Sequence, residues 1–362
     1  MKTFNGKSIY NPSGKAGEYS YWACNFYNGC SNGCTYCYLK KGVLKQTLGG
    51  DKPSLKKCFK NEGHALQVFE KELLQNKEEI QKHGLFFSFT TDPLLKECAF
   101  LTHEAMFLCF EHKVPVKILT KMNFNSLFYV IEGIIPEEYK YLAVGFTLTG
   151  HDELELGAST NAERIEAMKE IHSQGIKTFA SLEPIINFAD TLSMIEKTQG
   201  TCDLYKIGLE SGKHYPVSVL REFIEQCCLK SARMSKIYFK DTLLKQAGIS
   251  RDSLPDYCVD RDYNLFEMRQ TFGDARTFFG LPLTYPVCMH DGPGFTYATA
   301  PEFGCVHFKK VRPSGNSRYR KIDRLSKAGY SVIELGKKIK VIKGKEEIKG
   351  SLHQVHKQVF GY

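Results

Sequence analysis

Three cysteines stand close together in the segment 21–38, YWACNFYNGCSNGCTYCY, where Cys30, Cys34 and Cys37 give a CxxxCxxC spacing. Thiolates are the usual ligands of iron-sulfur clusters, and a loop this short lets three of them converge on one [4Fe-4S] cubane. Gly29 and Gly33 supply the backbone freedom that such wrapping demands. Four thiolates would instead suit tetrahedral zinc, and Cys24 could join the other three as its fourth ligand. Replacing Cys24 separates the two, since it would break the zinc site and spare a three-cysteine cluster.

The loop needs a scaffold, and the chain from 21 to about 230 alternates short apolar runs with longer amphipathic ones, the rhythm of repeated βα units around a parallel sheet. Six strands are expected, at 21–26, 85–89, 116–119, 142–148, 178–182 and 204–207. Helical spacing is expected over 64–82 and 162–174, with Gly84 and Gly175 where those helices would stop. The fold class predicted is α/β, a partial (βα)6 barrel of the TIM type with a smaller irregular α+β region behind it. In such barrels chemistry gathers on the loops after the C-terminal strand ends, and the thiols follow the first strand. The expected divisions are an N-terminal extension over 1–20, the core over 21–232 and a C-terminal region over 233–362. Within the last, a helix from 318 and a two-stranded piece at 330–335 and 339–342 are expected, turning at Gly336 and Lys337.

Several motifs at successive strand ends, over roughly 21–184, resemble the radical SAM superfamily and within it the spore photoproduct lyase-like proteins. They are Cys34-Thr-Tyr-Cys-Tyr-Leu39, Phe89-Thr-Thr-Asp-Pro93, Leu119-Thr-Lys121, Gly145-Phe-Thr-Leu148, then Arg164 and Pro184. The resemblance implies that three cysteines leave one iron open for the amino and carboxylate groups of S-adenosylmethionine (SAM). Reduction of the cluster would then cleave SAM to a 5′-deoxyadenosyl radical. It places Thr90, Thr91 and Asp92 near the SAM amino group and Lys121 and Thr147 near its carboxylate or ribose, with Arg164 also on the cofactor side; Glu183 and Glu210, after the fifth and sixth strands, are either cofactor-binding or solvated rim carboxylates. Tyr36 and Tyr38 occupy positions where the lyase has tyrosines near its radical relay, or pack beside the cluster. The lyase cysteine that returns hydrogen to the product radical is replaced here by Phe89, which leaves Cys98 as the thiol to consider. A reducing partner such as flavodoxin or ferredoxin would supply the electron.

Composition narrows the partners. No stretch of 18 apolar residues suggests a membrane span, no apolar signal core opens the chain, and thirteen cysteines in such a chain are expected to stay reduced, so a soluble cytoplasmic protein is predicted. The net charge of +9 is concentrated at one end: residues 306–362 hold 15 Lys and Arg against 4 Asp and Glu. Phe295, Tyr297, Phe303 and Tyr319 lie among or near Arg318, Arg320, Lys321 and Arg324, a mixture suited to stacking and phosphate contact. Nucleic acid is therefore the leading substrate class, with a peptide or protein side chain as the enzymatic alternative and a zinc-bearing nucleic-acid-binding module as the non-enzymatic one. Cys258, Cys288, His290, Cys305 and His307 offer a conceivable second metal site, or ordinary buried thiols. The oligomeric state is not legible.

Overall fold

The computed structural model describes residues 3–231 and 235–266, the strands at 287–289, 296–298, 331–335, 338–343 and 346–350, and residues 355, 358 and 359. Eight strands form its main sheet: β1 (Ile9–Tyr10), β2 (Ala23–Cys24), β3 (Leu85–Phe87), β4 (Val116–Thr120), β5 (Leu142–Thr147), β6 (Lys177–Ile185), β7 (Leu204–Leu209) and β8 (Lys236–Phe239). They lie side by side in sequence order. From β2 onward each strand runs parallel to the next, and only β1, at one edge, is antiparallel. The six expected strands are all present, and the sheet reaches past the expected 21–232 span on both sides, through β1 and the seventh parallel strand β8.

The strands are legible because burial on both faces of a parallel sheet selects near-continuous apolar runs. All six residues of β5 and all six of β7 are buried. Helices between them are α1 (Glu62–Gln75), α2 (Lys77–His83), α3 (Lys96–Glu111), α4 (Phe124–Ile131), α5 (Asn161–Ser173), α6 (Phe188–Lys197), α7 (Val217–Lys230) and α8 (Asp241–Ala247). Four of them, α1, α4, α5 and α6, start on side-chain caps. Asn61 accepts from His64 N at 2.9 Å, Asn187 accepts from Ala189 N at 2.7 Å, and Thr160 with Glu163 closes a capping box on α5.

Two expectations need correction. The single helix over 64–82 is two, because the Asn76 side chain donates to the Glu72 carbonyl at 2.9 Å and takes a group the helix would have used. The C-terminal piece is a three-stranded antiparallel sheet, since Glu346–Gly350 pairs with Lys338–Lys343 beside the expected partner Ser331–Leu335. The helix expected from 318 lies outside the described residues, as do His290, Cys305, His307, Phe295, Phe303, Tyr319 and the arginines near it; Tyr297 and Cys288 are described only as strand backbone.

The N-terminal segment is bound into the fold by one buried carboxylate. Glu72 accepts from the backbone N–H groups of Lys7, Ser8 and Ile9 at 2.7, 2.9 and 2.8 Å and from the Ser8 hydroxyl at 2.5 Å. Glu72→Ala strands these donors, and we expect a loss of about 2–3 kcal/mol of stability with faster amide exchange at residues 7–9, read by urea denaturation and hydrogen exchange. Unchanged exchange there would contradict the bracing role.

Candidate functional site

The loop after β2 carries the thiols, and its path is set by backbone contacts. Cys30 N donates to Gly50 O at 3.0 Å, and a two-residue ladder joins Tyr27–Asn28 to Ser54–Leu55. Gly29, at φ +83°, lies so close to the 50–52 backbone that a Cβ there would stand 2.4 Å from Lys52 O. Cys30, Cys34 and Cys37 line a single hollow of about 260 Å³, with Asn32, Leu39 and Gly49 among its other walls.

Two buried carboxylates hold this loop to the neighbouring strand ends. Asp92, after β3, accepts from Asn32 Nδ2 at 2.9 Å, from Thr120 Oγ1 at 2.8 Å, from Lys121 N at 2.7 Å and from Leu94 N at 3.0 Å. Glu155, in the loop after β5, accepts from the Tyr36 hydroxyl and the Arg164 guanidinium, with Lys121 Nζ at 3.9 Å. Backbone bonds reinforce the second clamp: Thr35 N donates to Leu154 O at 2.9 Å and Gly157 N to Asn32 O at 2.9 Å. Gly157 approaches so closely that a Cβ would stand 2.1 Å from Ser31 O.

Electrostatics at the thiols are those of a dry, partly compensated site. Burial pushes the Cys30 thiol up to about 11, aided by Asp92, and burial likewise raises Cys34. The Lys121 ammonium opposes both shifts, and lies 5.6 Å over the Tyr36 ring. Burial and Glu155 raise Tyr36 strongly, so its phenol keeps its proton.

The other expected residues fall into distinct places. Thr90 Oγ1 donates to Tyr27 O at 2.5 Å, Thr91 Oγ1 lies 3.7 Å from Cys98 Sγ, and Thr147 offers its carbonyl to Arg164 at 2.5 Å. Arg164 is wholly buried. Tyr38, half exposed, donates to the Phe89 carbonyl. Glu183 sits where the β6–β7 ladder slips between Leu182 and Ile185, and bonds Lys240 at 2.7 Å and the Tyr19 hydroxyl at 3.0 Å. Cys98 is fully buried on α3 and does not line the hollow. Cys24 is fully buried in the core and does not line it either, so among the described residues the hollow has no fourth thiol of the kind the zinc alternative requires.

Asn32 and Glu155 were not among the expected residues. Asn32 could have been suspected from its place between Cys30 and Cys34. Glu155 follows Asp152, Glu153 and Leu154 and reads as part of a solvated acidic run.

Three thiols on a hollow with glycine in its wall are a donor set that suits an iron-sulfur cluster with one position free of protein. The Asn32 Oδ1 atom adds a second fit, since it is buried beside the hollow without a hydrogen-bond partner among the described residues. Among the described residues no three His, Cys, Asp or Glu side chains are gathered tightly enough to hold a metal ion, so the thiols share the hollow without being drawn together.

No protein-family model matches the chain, and no curated protein matches it. Among solved structures, the chain is similar to Streptococcus suis SuiB bound to S-adenosylmethionine, with a TM-score of 0.42 at 14% identity over 60% of this chain and 49% of that one. It is similar to a spore photoproduct lyase variant with bound AdoMet and dinucleoside spore photoproduct, with a TM-score of 0.42 at 13% identity over 57% of this chain and 61% of that one. A further variant of that lyase gives 0.47 at 14% identity, over 63% of this chain and 79% of that one. The chain thus spans less than two thirds of the first two of these proteins. Among its described residues no helix is long and apolar enough to cross a membrane.

Removing one partner of a buried ion pair leaves the other charge uncompensated, so Arg164→Met is expected to destabilise the protein by about 3–5 kcal/mol. Arg164→Met with Glu155→Leu should recover part of that loss in urea denaturation. A double variant no more stable than the single one would count against the pair as the clamp.

Proposed function

We propose that the chain is a radical SAM enzyme whose cluster is held by Cys30, Cys34 and Cys37. The carrying observation is that the three thiols line one hollow at the C-terminal end of the parallel sheet, while Cys24 stands apart in the core. When bound, the [4Fe-4S] cluster would supply the electron that cleaves SAM to a 5′-deoxyadenosyl radical.

The chain's own residues position and insulate. Asp92 and Glu155 fix the loop so that the thiols share one hollow. Asn32 Oδ1 offers a buried acceptor for the SAM amino group, and the Lys121 ammonium a partner for its carboxylate. Thr91, Thr147 and Glu183 belong to the same end of the sheet and complete the proposed cofactor side. Tyr36, with its hydroxyl committed to Glu155, serves as packing and anchor in this reading.

Anaerobic reconstitution with iron and sulfide, then dithionite and SAM, should yield 5′-deoxyadenosine from the wild type and from Cys24→Ala, and none from Cys34→Ala. Loss in Cys24→Ala with retention of one zinc would favour the four-cysteine alternative instead.

The proposed substrate class is nucleic acid, supported by the 15 Lys and Arg against 4 Asp and Glu over residues 306–362. Fluorescence anisotropy with a single-stranded oligonucleotide should show binding that falls by an order of magnitude or more between about 50 and 200 mM salt. Absence of binding at the lower salt would turn the search toward peptide substrates.

A further inference from the structure

The opposite mouth of the sheet holds a second concavity, which shares no lining residue with the thiol hollow. Lys117 and Lys121 mark the two ends: Lys117 is near the start of β4, and Lys121 follows its last residue. The concavity, open to solvent, lies at the Lys117 end. Lys117, Lys206 and Arg261 contribute its cations, and Phe86, Phe179 and His83 are among its ring-bearing walls.

The two lysines are held but not neutralised. Lys117 Nζ donates to His83 O at 3.2 Å. Lys206 Nζ donates to Glu18 O at 2.7 Å and lies 5.1 and 5.0 Å over the Tyr19 and Tyr238 rings. Neither makes an ion pair among the described residues, because Glu18 and Glu183, the carboxylates that act on Lys206, lie 3.7 and 2.7 Å from Lys240 instead. Asp262, at the cavity rim, accepts from the Tyr21 hydroxyl. The cavity therefore presents three cationic side chains against one engaged carboxylate. Lys206 is buried and Lys117 half-buried, and neither has a carboxylate within ion-pair distance among the described residues, an arrangement that an anion would relieve.

We propose that this cavity binds a small organic oxyanion, a carboxylate or phosphate monoester with a compact aromatic or apolar body. The anionic end would meet Lys117 and Lys206, its body would lie against Phe86 and Phe179, and Arg261 would close over it from the exposed rim. Burial pulls Lys117 down to about 8 and Lys206 well below the usual lysine value, and a bound anion would raise both again. The cavity has no wall residue in common with the thiol hollow, and Tyr19 in its wall bonds Glu183 of the proposed cofactor side.

Benzoate, phenyl phosphate and inorganic phosphate can be titrated into the full-length protein by isothermal titration calorimetry at fixed ionic strength, with chloride as the balancing anion. The expected result is saturable one-to-one binding of benzoate or phenyl phosphate, about tenfold tighter than inorganic phosphate. Lys117→Met and Lys206→Met should each weaken it by about tenfold or more, the factor that loss of one charge-assisted hydrogen bond carries. Binding of benzoate alone assigns a carboxylate, and of phenyl phosphate alone an ester. Arg261→Gln changes an exposed residue and should weaken binding severalfold, so it decides the matter if the lysine variants do not fold. Three results would each overturn the proposal: no saturable binding of either organic anion, equal affinity for inorganic phosphate, or affinity unchanged in the variants.

Discussion

Asp92 takes four hydrogen bonds inside the protein, one from the thiol loop and three from the ends of the neighbouring βα units, and the rest of the site depends on that arrangement. A buried carboxylate is tolerated only when its lone pairs are filled by well-placed donors. The donors here come from Asn32, Leu94, Thr120 and Lys121, so the loop and the C-terminal ends of β3 and β4 are pinned to one point. Glu155 repeats the device from the other side through Tyr36 and Arg164. Between these anchors the backbone approaches itself closely at Gly29, Gly49 and Gly157, where a Cβ would not fit.

Much of this was visible in the sequence. The parallel strands announce themselves because burial on both faces leaves apolar runs such as Leu142–Thr147 with little else to be. The thiol loop is visible because three cysteines at short spacing on a glycine-bearing loop are hard to explain by packing. The edge strand Ile9–Tyr10 is not, since two residues carry no periodicity and the pairing depends on Glu72, more than sixty positions away. Glu155 escaped for a related reason: its burial is a property of Arg164 and Tyr36 meeting it, and an isolated acidic run looks like solvent-facing surface.

The two mouths of the sheet are electrostatically different. At the C-terminal end buried carboxylates are matched by Arg164 and Lys121 near the thiols, and by Lys240 beside Glu183. At the N-terminal end Lys117 and Lys206 donate to carbonyl oxygens and make no ion pair among the described residues. One fold thus keeps a charge-compensated region beside the thiols and a second region whose lysines lack an ion-pair partner among the described residues.

The most direct test of the central claim is the metal content and electron paramagnetic resonance of the reconstituted full-length protein before and after SAM is added. The account predicts about four iron and four sulfide per chain, a signal from a reduced [4Fe-4S] cluster, and a change in that signal on adding SAM because one iron is free of protein ligand. One zinc per chain, no inorganic sulfide and no paramagnetic signal after reduction would contradict it.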